Sequence, residues 1–179
     1  MTIRGEVFFL TGLAAALAAG WAGLPRALDR RIPQPMEFSH KVHAEKAGQS
    51  CEDCHRFRAD GSFAGIPPLD RCAGCHAAPM GATAAEKKFI AEYVTPGREP
   101  RWAAESAQPE NVYFSHITHV KRGKVKCESC HGNVGSSNAL PPVYVDRISG
   151  YSGKVMSMDA CVECHRQRGL EFSCLGCHK

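Results

Sequence analysis

Five copies of one short motif, Cys-x-x-Cys-His, constrain this chain more than any other feature of its sequence. The cysteine pairs are Cys51/Cys54, Cys72/Cys75, Cys127/Cys130, Cys161/Cys164 and Cys174/Cys177, and the histidines that follow them are His55, His76, His131, His165 and His178. We number these motifs 1 to 5 in chain order. Cys-x-x-Cys-His is the attachment sequence of c-type haem, in which two thiols bond the macrocycle and the adjacent imidazole ligates the iron. The sequence therefore predicts five covalently bound haem c groups.

Other uses of paired cysteines explain the pattern less well. Zinc sites take four ligands, so pairs must combine two by two, and five pairs leave one over. A thioredoxin-like motif normally occurs once, in a βαβ setting that this chain lacks. A disulfide framework gives no reason for a histidine after every pair. All ten cysteines of the chain are used by the five motifs, so no sixth haem is expected.

The composition indicates that something other than side chains must fill the interior of the fold. The chain has 179 residues and is 44% hydrophobic, but alanine, cysteine and an apolar N-terminus account for much of that share. Without residues 1–31, the rest is poor in the Leu, Ile, Val and Phe that build cores. We therefore expect a mostly irregular fold with short α-helices packed around haem, little or no sheet, and one N-terminal transmembrane helix.

The four remaining histidines lie in two matching blocks. They are His40 and His43 in Phe38–His43, and His116 and His119 in Phe114–His119. The two blocks form an internal repeat, because each precedes the next motif by the same spacing, from Phe38 to Cys51 and from Phe114 to Cys127. Histidines at positions i and i+3 of a helical turn project from one face at neighbouring points, so each can reach a different iron. Capping of a surface helix does not explain why the block occurs twice at the same register.

These blocks, followed by Cys-x-x-Cys-His, resemble the class III cytochromes c, the cytochrome c3 and trihaem c7 group. In that family the first histidine ligates the iron of the nearest downstream motif and the second ligates another haem. The resemblance implies that His40 faces His55 and that His116 faces His131. It further implies His43 opposite His76 and His119 opposite His165, although an exchange of these second partners between the two halves stays open.

The haem of His178 is left without a free histidine, because four histidines serve five haems. The spacing from Cys161 to Cys174 resembles that of the last two motifs of the trihaem c7 proteins. There the final haem takes its second ligand from just before the preceding motif, where this chain has Met156 and Met158. The resemblance thus implies a thioether ligand, Met158 ahead of Met156, and a raised potential. An open or water-bound iron, Met80 and a ligand from a partner chain are the alternatives.

The N-terminus predicts a membrane anchor. Val7–Leu24 is an uncharged stretch of eighteen residues, and as a helix it rises about 27 Å, close to the thickness of a bilayer core. A cleaved signal peptide with a site near Ala16–Ala18 is the alternative, but the single Arg4 before the span is offset by Glu6. Since haem is attached to such motifs outside the cytoplasm, we expect an uncleaved inner-membrane anchor with a periplasmic haem domain. The three arginines after the span run against the positive-inside rule.

The motifs also predict the domain organisation. The expected segments are 1–31 as anchor and stalk, 32–80 as a two-haem module, 81–110 as a linker and 111–179 as a three-haem module. Within the linker we expect one short helix around Thr83–Tyr93, and Asn133–Tyr151 is expected to be a loop rich in Gly, Ser and Pro.

The net charge excludes nucleic acid as a partner. The formal charge of the protein part is +4, but about ten haem propionates bring the total to about −6 with ferrous and about −1 with ferric irons. The excess of lysine and arginine therefore gives no basis for nucleic-acid binding.

A closer resemblance covers nearly the whole chain. The anchor, Phe63–Pro67 before motif 2, and Val112–His116 after a linker that carries Trp102 are similar to the multihaem cytochrome subunit of alternative complex III and of the related periplasmic-facing quinone reductase complex. That resemblance implies an iron–sulfur, molybdopterin-enzyme-like partner subunit and a polytopic quinone-site membrane subunit. It also implies soluble periplasmic cytochrome c as exchange partner.

The implied function is electron relay between the quinone pool and those carriers, in either direction, with no catalytic residue in this chain. Two other functions stay open. One is a stand-alone membrane-anchored quinol dehydrogenase cytochrome, and the other is a multihaem reductase with chemistry at an open iron on His178.

Overall fold

The computed structural model describes residues 3–106, 108–152, 156–170 and 172–179. Within them the secondary structure is short helices joined by irregular chain. The α-helices are α1 (Ile3–Leu28), α2 (His40–Glu45), α3 (Cys51–Cys54), α4 (Leu69–His76), α5 (Ala84–Phe89), α6 (Glu128–His131), α7 (Met158–Gln167) and α8 (Cys174–Cys177). Two π-helical segments, Ile90–Val94 and Ile117–Arg122, a 3₁₀ turn at Val134–Ser136 and the strands β1 (Asp29–Ile32) and β2 (Val143–Asp146) complete the described elements.

Helix α1 is long and apolar enough to cross a membrane, by length and composition. The apolar segment runs from Arg4 to Leu28 with a mean hydropathy of 1.8, and none of it is buried against the rest of the protein. Trp21 is 88% exposed and Phe8 is 77% exposed. Such side chains are costly in water and favourable in a bilayer. The helix is longer at both ends than the Val7–Leu24 stretch predicted from the sequence.

The segment after α1 is a strand rather than free stalk. β1 pairs antiparallel with β2, in a register that matches Asp29 with Asp146 and Ile32 with Val143. The prediction of a loop throughout 133–151 is therefore wrong at β2 and at the 3₁₀ turn. β2 carries Val-Tyr-Val, residue types that favour strands, and Val143 is the most buried side chain of the described residues, at 2% exposure.

Side chains alone supply almost no core. Among the described residues, the buried hydrophobic side chains are Leu69, Phe89 and Val143. A chain of this length normally buries most of its large apolar side chains. The structure thus agrees with the compositional argument that something other than side chains fills the interior.

The linker contains the helix that the sequence predicts. Thr83 caps α5, since its hydroxyl accepts a hydrogen bond from the Glu86 amide at 3.2 Å. The helix continues through the π-helical segment Ile90–Val94. Tyr93 in that segment donates its hydroxyl to the Pro35 carbonyl at 3.3 Å, which ties the linker to the chain before α2.

Several contacts join the two halves of the chain. The Lys41 amide donates to the Ser137 carbonyl at 3.0 Å, so that α2 lies beside the segment that follows motif 3. The Lys121 ammonium pairs with the Glu52 carboxylate at 2.5 Å. Motifs 1 and 3 are thereby brought close together, although motif 2 and the linker separate them in sequence.

Candidate haem-binding sites

Two short helical segments present the histidines that lie outside the motifs. Ser39 caps α2 by accepting a hydrogen bond from the Val42 amide at 3.2 Å, and His40 and His43 lie one turn apart. In the second block His116 immediately precedes the π-helical segment Ile117–Arg122, which carries His119. Each block therefore holds two imidazoles on adjoining points of one short segment, as the i, i+3 spacing predicts.

In the first block, each histidine faces the histidine of a different motif. The rings of His40 and His55 lie with centroids 6.5 Å apart and planes inclined by 24°. The rings of His43 and His76 lie 6.1 Å apart and are inclined by 59°. Helix α2 thus connects motif 1 with motif 2.

The second block repeats this arrangement. His116 faces His131 at 6.4 Å with nearly parallel planes, inclined by 4°, and His119 faces His165 at 6.1 Å and 26°. Two imidazoles that ligate one metal from opposite sides have centroids about 6–6.5 Å apart, because each metal–nitrogen bond is about 2 Å and each centroid lies about 1.2 Å behind its nitrogen. All four pairs that the structure brings together fit this spacing, and they are the pairs that the class III resemblance implies.

Hydrogen bonds fix the tautomer of three of these imidazoles. Nδ1 of His43 donates to the Ser39 carbonyl at 2.8 Å, Nδ1 of His119 to the Ser115 carbonyl at 2.9 Å, and Nδ1 of His55 to the Gly65 carbonyl at 2.8 Å. A carbonyl only accepts, so the proton is on Nδ1 and Nε2 keeps its lone pair. This is the tautomer that ligates metal through Nε2, with the outer bond orienting the ring.

The histidine of motif 2 has a different partner. Nδ1 of His76 donates to the Glu86 carboxylate at 2.8 Å, and that carboxylate also accepts from the amides of Met80 at 2.7 Å and Gly81 at 2.8 Å. The bond from the Met80 amide, followed by those from Gly81 and His76, holds the pKa of Glu86 below its usual range. Glu86 was not found from the sequence. The available signal was Thr83-x-x-Glu86, a capping-box pattern, but here the carboxylate turns to the motif rather than to the Thr83 amide.

The first histidine of each block is the one whose pKa is shifted by burial. Burial lowers the pKa of His40, and the neighbouring His55 and His43 lower it further. Burial likewise lowers the pKa of His116, with His131 next in effect. Both imidazoles are therefore held in the neutral form that ligates a metal. Nδ1 of His40 is buried without a hydrogen-bond partner among the described residues.

In both blocks, the phenylalanine at the first position packs against the two histidines. Phe38 stacks on His43 at 4.5 Å and meets His40 edge-on at 4.9 Å. Phe114 stacks on His119 at 4.7 Å and meets His116 edge-on at 4.8 Å. The first residue of each repeated block thus packs against both of its histidines, which explains why an aromatic side chain begins the repeat.

The cysteine side chains give the spatial order of the first three motifs. Burial raises the pKa of the Cys54 thiol, and Cys75 of motif 2 is among the neighbours that raise it further. Burial also raises the pKa of the Cys127 thiol. Cys51 of motif 1 raises that pKa further, through its proximity and through a hydrogen bond. Motif 1 therefore has cysteines close to those of both motif 2 and motif 3.

The remaining motifs extend this order. Burial raises the pKa of the Cys130 thiol of motif 3, with Cys164 of motif 4 as the next contribution. The pKa of the Cys161 thiol is raised by burial and then by Cys130 and by Cys177 of motif 5. The five motifs form a row in the order 2–1–3–4–5, which we call the motif row. Motif 2 and motif 5 are its two ends.

Motif 5 is held by the backbone that precedes the second histidine block. The Tyr113 amide donates to the Cys177 carbonyl at 2.8 Å, and the Lys179 amide donates to the Asn111 carbonyl at 3.0 Å. A cleft of about 660 Å³ lies between motifs 4 and 5, lined by His165, Phe172, Ser173, Gly176 and Cys177. Among the described residues, His178 is the one motif histidine that has no imidazole facing it.

Of the methionines named from the sequence, two lie at the start of α7 and one follows motif 2. Met158 is the first residue of α7 and is 65% exposed, and Met156 precedes the Ser157 cap and is half-buried. Met80, whose amide binds Glu86, is 73% exposed. The structure shows no bond from a thioether to the His178 site within the described part of the chain, so the ligand of that haem stays a prediction.

In the part of the chain that the structure describes, the cysteines and histidines of the motifs are not clustered with other metal-binding side chains. Within the described residues, no group of three or more His, Cys, Asp or Glu side chains is arranged to hold a metal ion. The ten cysteines, all of which the structure describes, are free thiols.

Comparison with known proteins identifies a relative along nearly the whole chain. No family model matches the chain. The chain is 40% identical to the menaquinone reductase multihaem cytochrome c subunit of Nitratidesulfovibrio vulgaris, over an alignment of 190 positions that covers 98% of this chain and 90% of the relative. Identity of this degree over nearly the full length of both proteins shows common descent and a common fold. This chain belongs to the family of the multihaem cytochrome c subunits of menaquinone reductase.

Proposed function

We propose that this chain carries five covalently bound haem c groups and relays electrons between a membrane quinone reductase complex and soluble periplasmic carriers. The observation that carries the proposal is the set of four facing imidazole pairs, each formed by one motif histidine and one block histidine. Their centroid separations, from 6.1 to 6.5 Å, match the spacing of two axial ligands on one metal.

The protein supplies the thiols that attach haem, the orientation of the imidazoles and the order of the sites. A haem held between a motif histidine and a block histidine would supply one-electron chemistry at its iron, and the two imidazoles would leave no place on that iron for a substrate. The thiols of each motif fix the group covalently, and the Nδ1 bonds of His43, His119 and His55 hold the imidazoles in the ligating tautomer. Four sites of this kind suit electron transfer rather than bond-making catalysis.

The motif row supports the relay. Neighbouring motifs in the order 2–1–3–4–5 approach closely enough for their cysteine side chains to influence one another. Attachment sites that neighbour each other in this order give a continuous path from motif 2 to motif 5. A path with a different motif at each end is what a relay between two different partners needs.

The named relative supports the proposed assembly of this chain with other subunits. It is a subunit of a menaquinone reductase, and we infer a similar assembly here, with an iron–sulfur, molybdopterin-enzyme-like subunit and a polytopic quinone-site subunit. Helix α1 serves as the inner-membrane anchor, and residues 32–80 and 111–179 serve as periplasmic two-haem and three-haem modules. The contact between Lys121 and Glu52 joins those modules.

The proposal is tested by purifying the complex from its native membrane and measuring the intact mass of this chain. We expect a mass increment of five haems on a chain that retains its N-terminal helix, together with co-purifying iron–sulfur and polytopic subunits. The chain expressed alone is expected to show no quinol oxidation. Any of three outcomes contradicts the proposal. They are a mass increment of four haems, a chain that begins after the helix, and turnover by the isolated chain comparable to that of the complex.

The absence of a facing imidazole at His178 among the described residues favours one alternative, a reductase that works at an open iron on motif 5. An open ferrous iron binds carbon monoxide, whereas a six-coordinate one resists it. Stoichiometric binding of carbon monoxide to one haem of the unmodified protein, combined with reduction of a small oxidised nitrogen or sulfur substrate, favours that alternative over the relay.

A further inference from the structure

We propose that Glu86 is a positioning residue that sets the haem on motif 2 at a lower reduction potential than a neutral hydrogen-bond acceptor would give it. The inference rests on the proposed attachment of haem to Cys72 and Cys75. It is carried by one contact, the hydrogen bond from Nδ1 of His76 to the Glu86 carboxylate at 2.8 Å. Nothing in the motif itself requires this partner.

The carboxylate is held in place and largely shielded from water. The Glu86 side chain is 10% exposed, and that of His76 is 23% exposed. The amides of Met80 and Gly81 bind the two carboxylate oxygens at 2.7 and 2.8 Å. Because these donors come from the turn directly after motif 2, the carboxylate cannot swing away without breaking that turn. Its charge is therefore a fixed feature of the site.

The contact distinguishes motif 2 from the other sites. Among the described residues, the Nδ1 atoms of His43, His119 and His55 bind backbone carbonyls, whereas Nδ1 of His76 binds an ionised group. A carboxylate partner gives the imidazole partial imidazolate character and makes it a stronger donor to iron. A stronger donor and a nearby negative charge both favour ferric over ferrous iron, so they lower the potential. The step concerned is the gain of one electron by ferric iron, with no bond broken and the Nδ1 proton kept on His76.

The position of Glu86 indicates the direction in which the lowered potential favours electron transfer. Motif 2 is one end of the motif row, and Glu86 lies on α5, which follows motif 2 in the chain. Lowering the potential at an end makes that end the better electron donor to the rest of the line. The lowered potential therefore favours electron donation from motif 2 to the rest of the motif row, whichever partner motif 2 faces.

The proposal is tested with Glu86→Gln in the full chain, by redox titration of the purified protein followed by visible absorption and EPR. The amide keeps the size of the side chain and removes its charge. We expect the reduction equilibrium constant of one haem to rise about tenfold, which for one electron is about 59 mV, while the other haems keep their midpoints. That haem is identified as the one whose signals disappear in a Cys72→Ala/Cys75→Ala variant.

Two control variants distinguish the effect of the His76–Glu86 hydrogen bond on the midpoint from the effect of losing any nearby charge or the cap of α5. Asp70→Asn removes an exposed charge from α4, beside Cys72, without touching His76. Thr83→Ala removes the α5 cap and leaves the carboxylate in place. We expect each control to shift the same midpoint by less than about a third of the Glu86→Gln shift.

A second readout reports the hydrogen bond directly. In the ferrous protein, the Nδ1 proton of His76 is expected downfield of the Nδ1 protons of His43, His119 and His55, and it should move upfield in Glu86→Gln. An unchanged midpoint in both Glu86→Gln and Glu86→Ala, or an equal shift in Asp70→Asn, overturns the inference. Absence of haem from motif 2 in the unmodified protein overturns the proposed function instead, so the two failures are distinguishable.

Discussion

The ring of Phe63 lies flat against the imidazole of His116, with centroids 4.1 Å apart and planes inclined by 22°. Phe63 comes from the loop between motifs 1 and 2, and it also faces His55 of motif 1 at 6.5 Å. One aromatic side chain thus lies between the imidazole of motif 1 and an imidazole that faces motif 3, at the junction of the two proposed modules.

Phe63→Leu is predicted to loosen His116. An aromatic stack of this kind contributes about 0.5–1.5 kcal/mol beyond burial, and here it supports the nearly parallel planes of His116 and His131. We expect the low-spin ferric EPR signal of that haem to broaden and shift, because its g-values depend on the angle between the two axial rings. Phe57→Leu is the control, since Phe57 contacts Phe63 but is not stacked on His116. Equal spectra for all three proteins contradict the prediction.

His43→Ala is predicted to open one coordination site. His43 faces His76 and no other motif histidine of the described chain, so its loss should leave a single haem five-coordinate. We expect one equivalent of carbon monoxide to bind to the reduced variant, measured from the shift of the Soret band. Glu45→Ala on the same helix is the control and should bind none beyond the unmodified protein. Carbon monoxide binding at a haem other than that of motif 2 contradicts the pairing.

Met158→Ala tests the ligand of the haem on motif 5. If Met158 supplies the thioether, that haem has the highest potential in the chain, because a thioether favours ferrous iron. The substitution should then lower the potential of this haem and let it bind carbon monoxide, while the four haems with two imidazoles stay unchanged. Met156→Ala is the matched variant. A change in Met156→Ala alone assigns the ligand to Met156, and carbon monoxide binding by the unmodified protein excludes both.

Asp146→Asn tests the turn that follows β2. The Ser149 amide, followed by the Ser149 hydroxyl and the Ile148 amide, lowers the pKa of Asp146. A lowered pKa means that the ionised carboxylate stabilises the folded turn above about pH 4, the ordinary range of aspartate, and that this contribution is lost as the pH falls through the lowered value.

Hydrogen exchange of the β1 and β2 amides measures this effect. We expect faster exchange in Asp146→Asn than in the unmodified protein at about pH 6, and rates that converge as the pH is lowered below about 4. Asp159→Asn, on α7, is the control. A difference between the variant and the unmodified protein that grows toward acid pH contradicts the assignment.

The local features of this chain could be predicted from its sequence, because each depends on residues close together along the chain. The spacing of His40 and His43 places them on one helical turn, and Thr83 marks the start of α5. The geometry of the four imidazole pairs also agrees with what the class III resemblance implies.

The long-range features could not be predicted. The pairing of β1 with β2 joins strands that lie far apart in the sequence, and neither strand is long enough to show a clear alternation. The place of motif 1 between motifs 2 and 3 depends on packing between the two halves. Glu86 gave no usable signal, because the same Thr-x-x-Glu pattern ordinarily caps a helix and here the carboxylate binds His76 instead.

The scarcity of buried side chains has a consequence for biosynthesis. With Leu69, Phe89 and Val143 as the buried hydrophobic residues of the described chain, the newly synthesised polypeptide buries too little apolar surface to offset the entropy of ordering it. It therefore reaches the haem-attachment machinery as an extended chain, in which every Cys-x-x-Cys-His is accessible. Covalent attachment must then come before folding, and a chain that misses one haem exposes a hollow that proteases can enter.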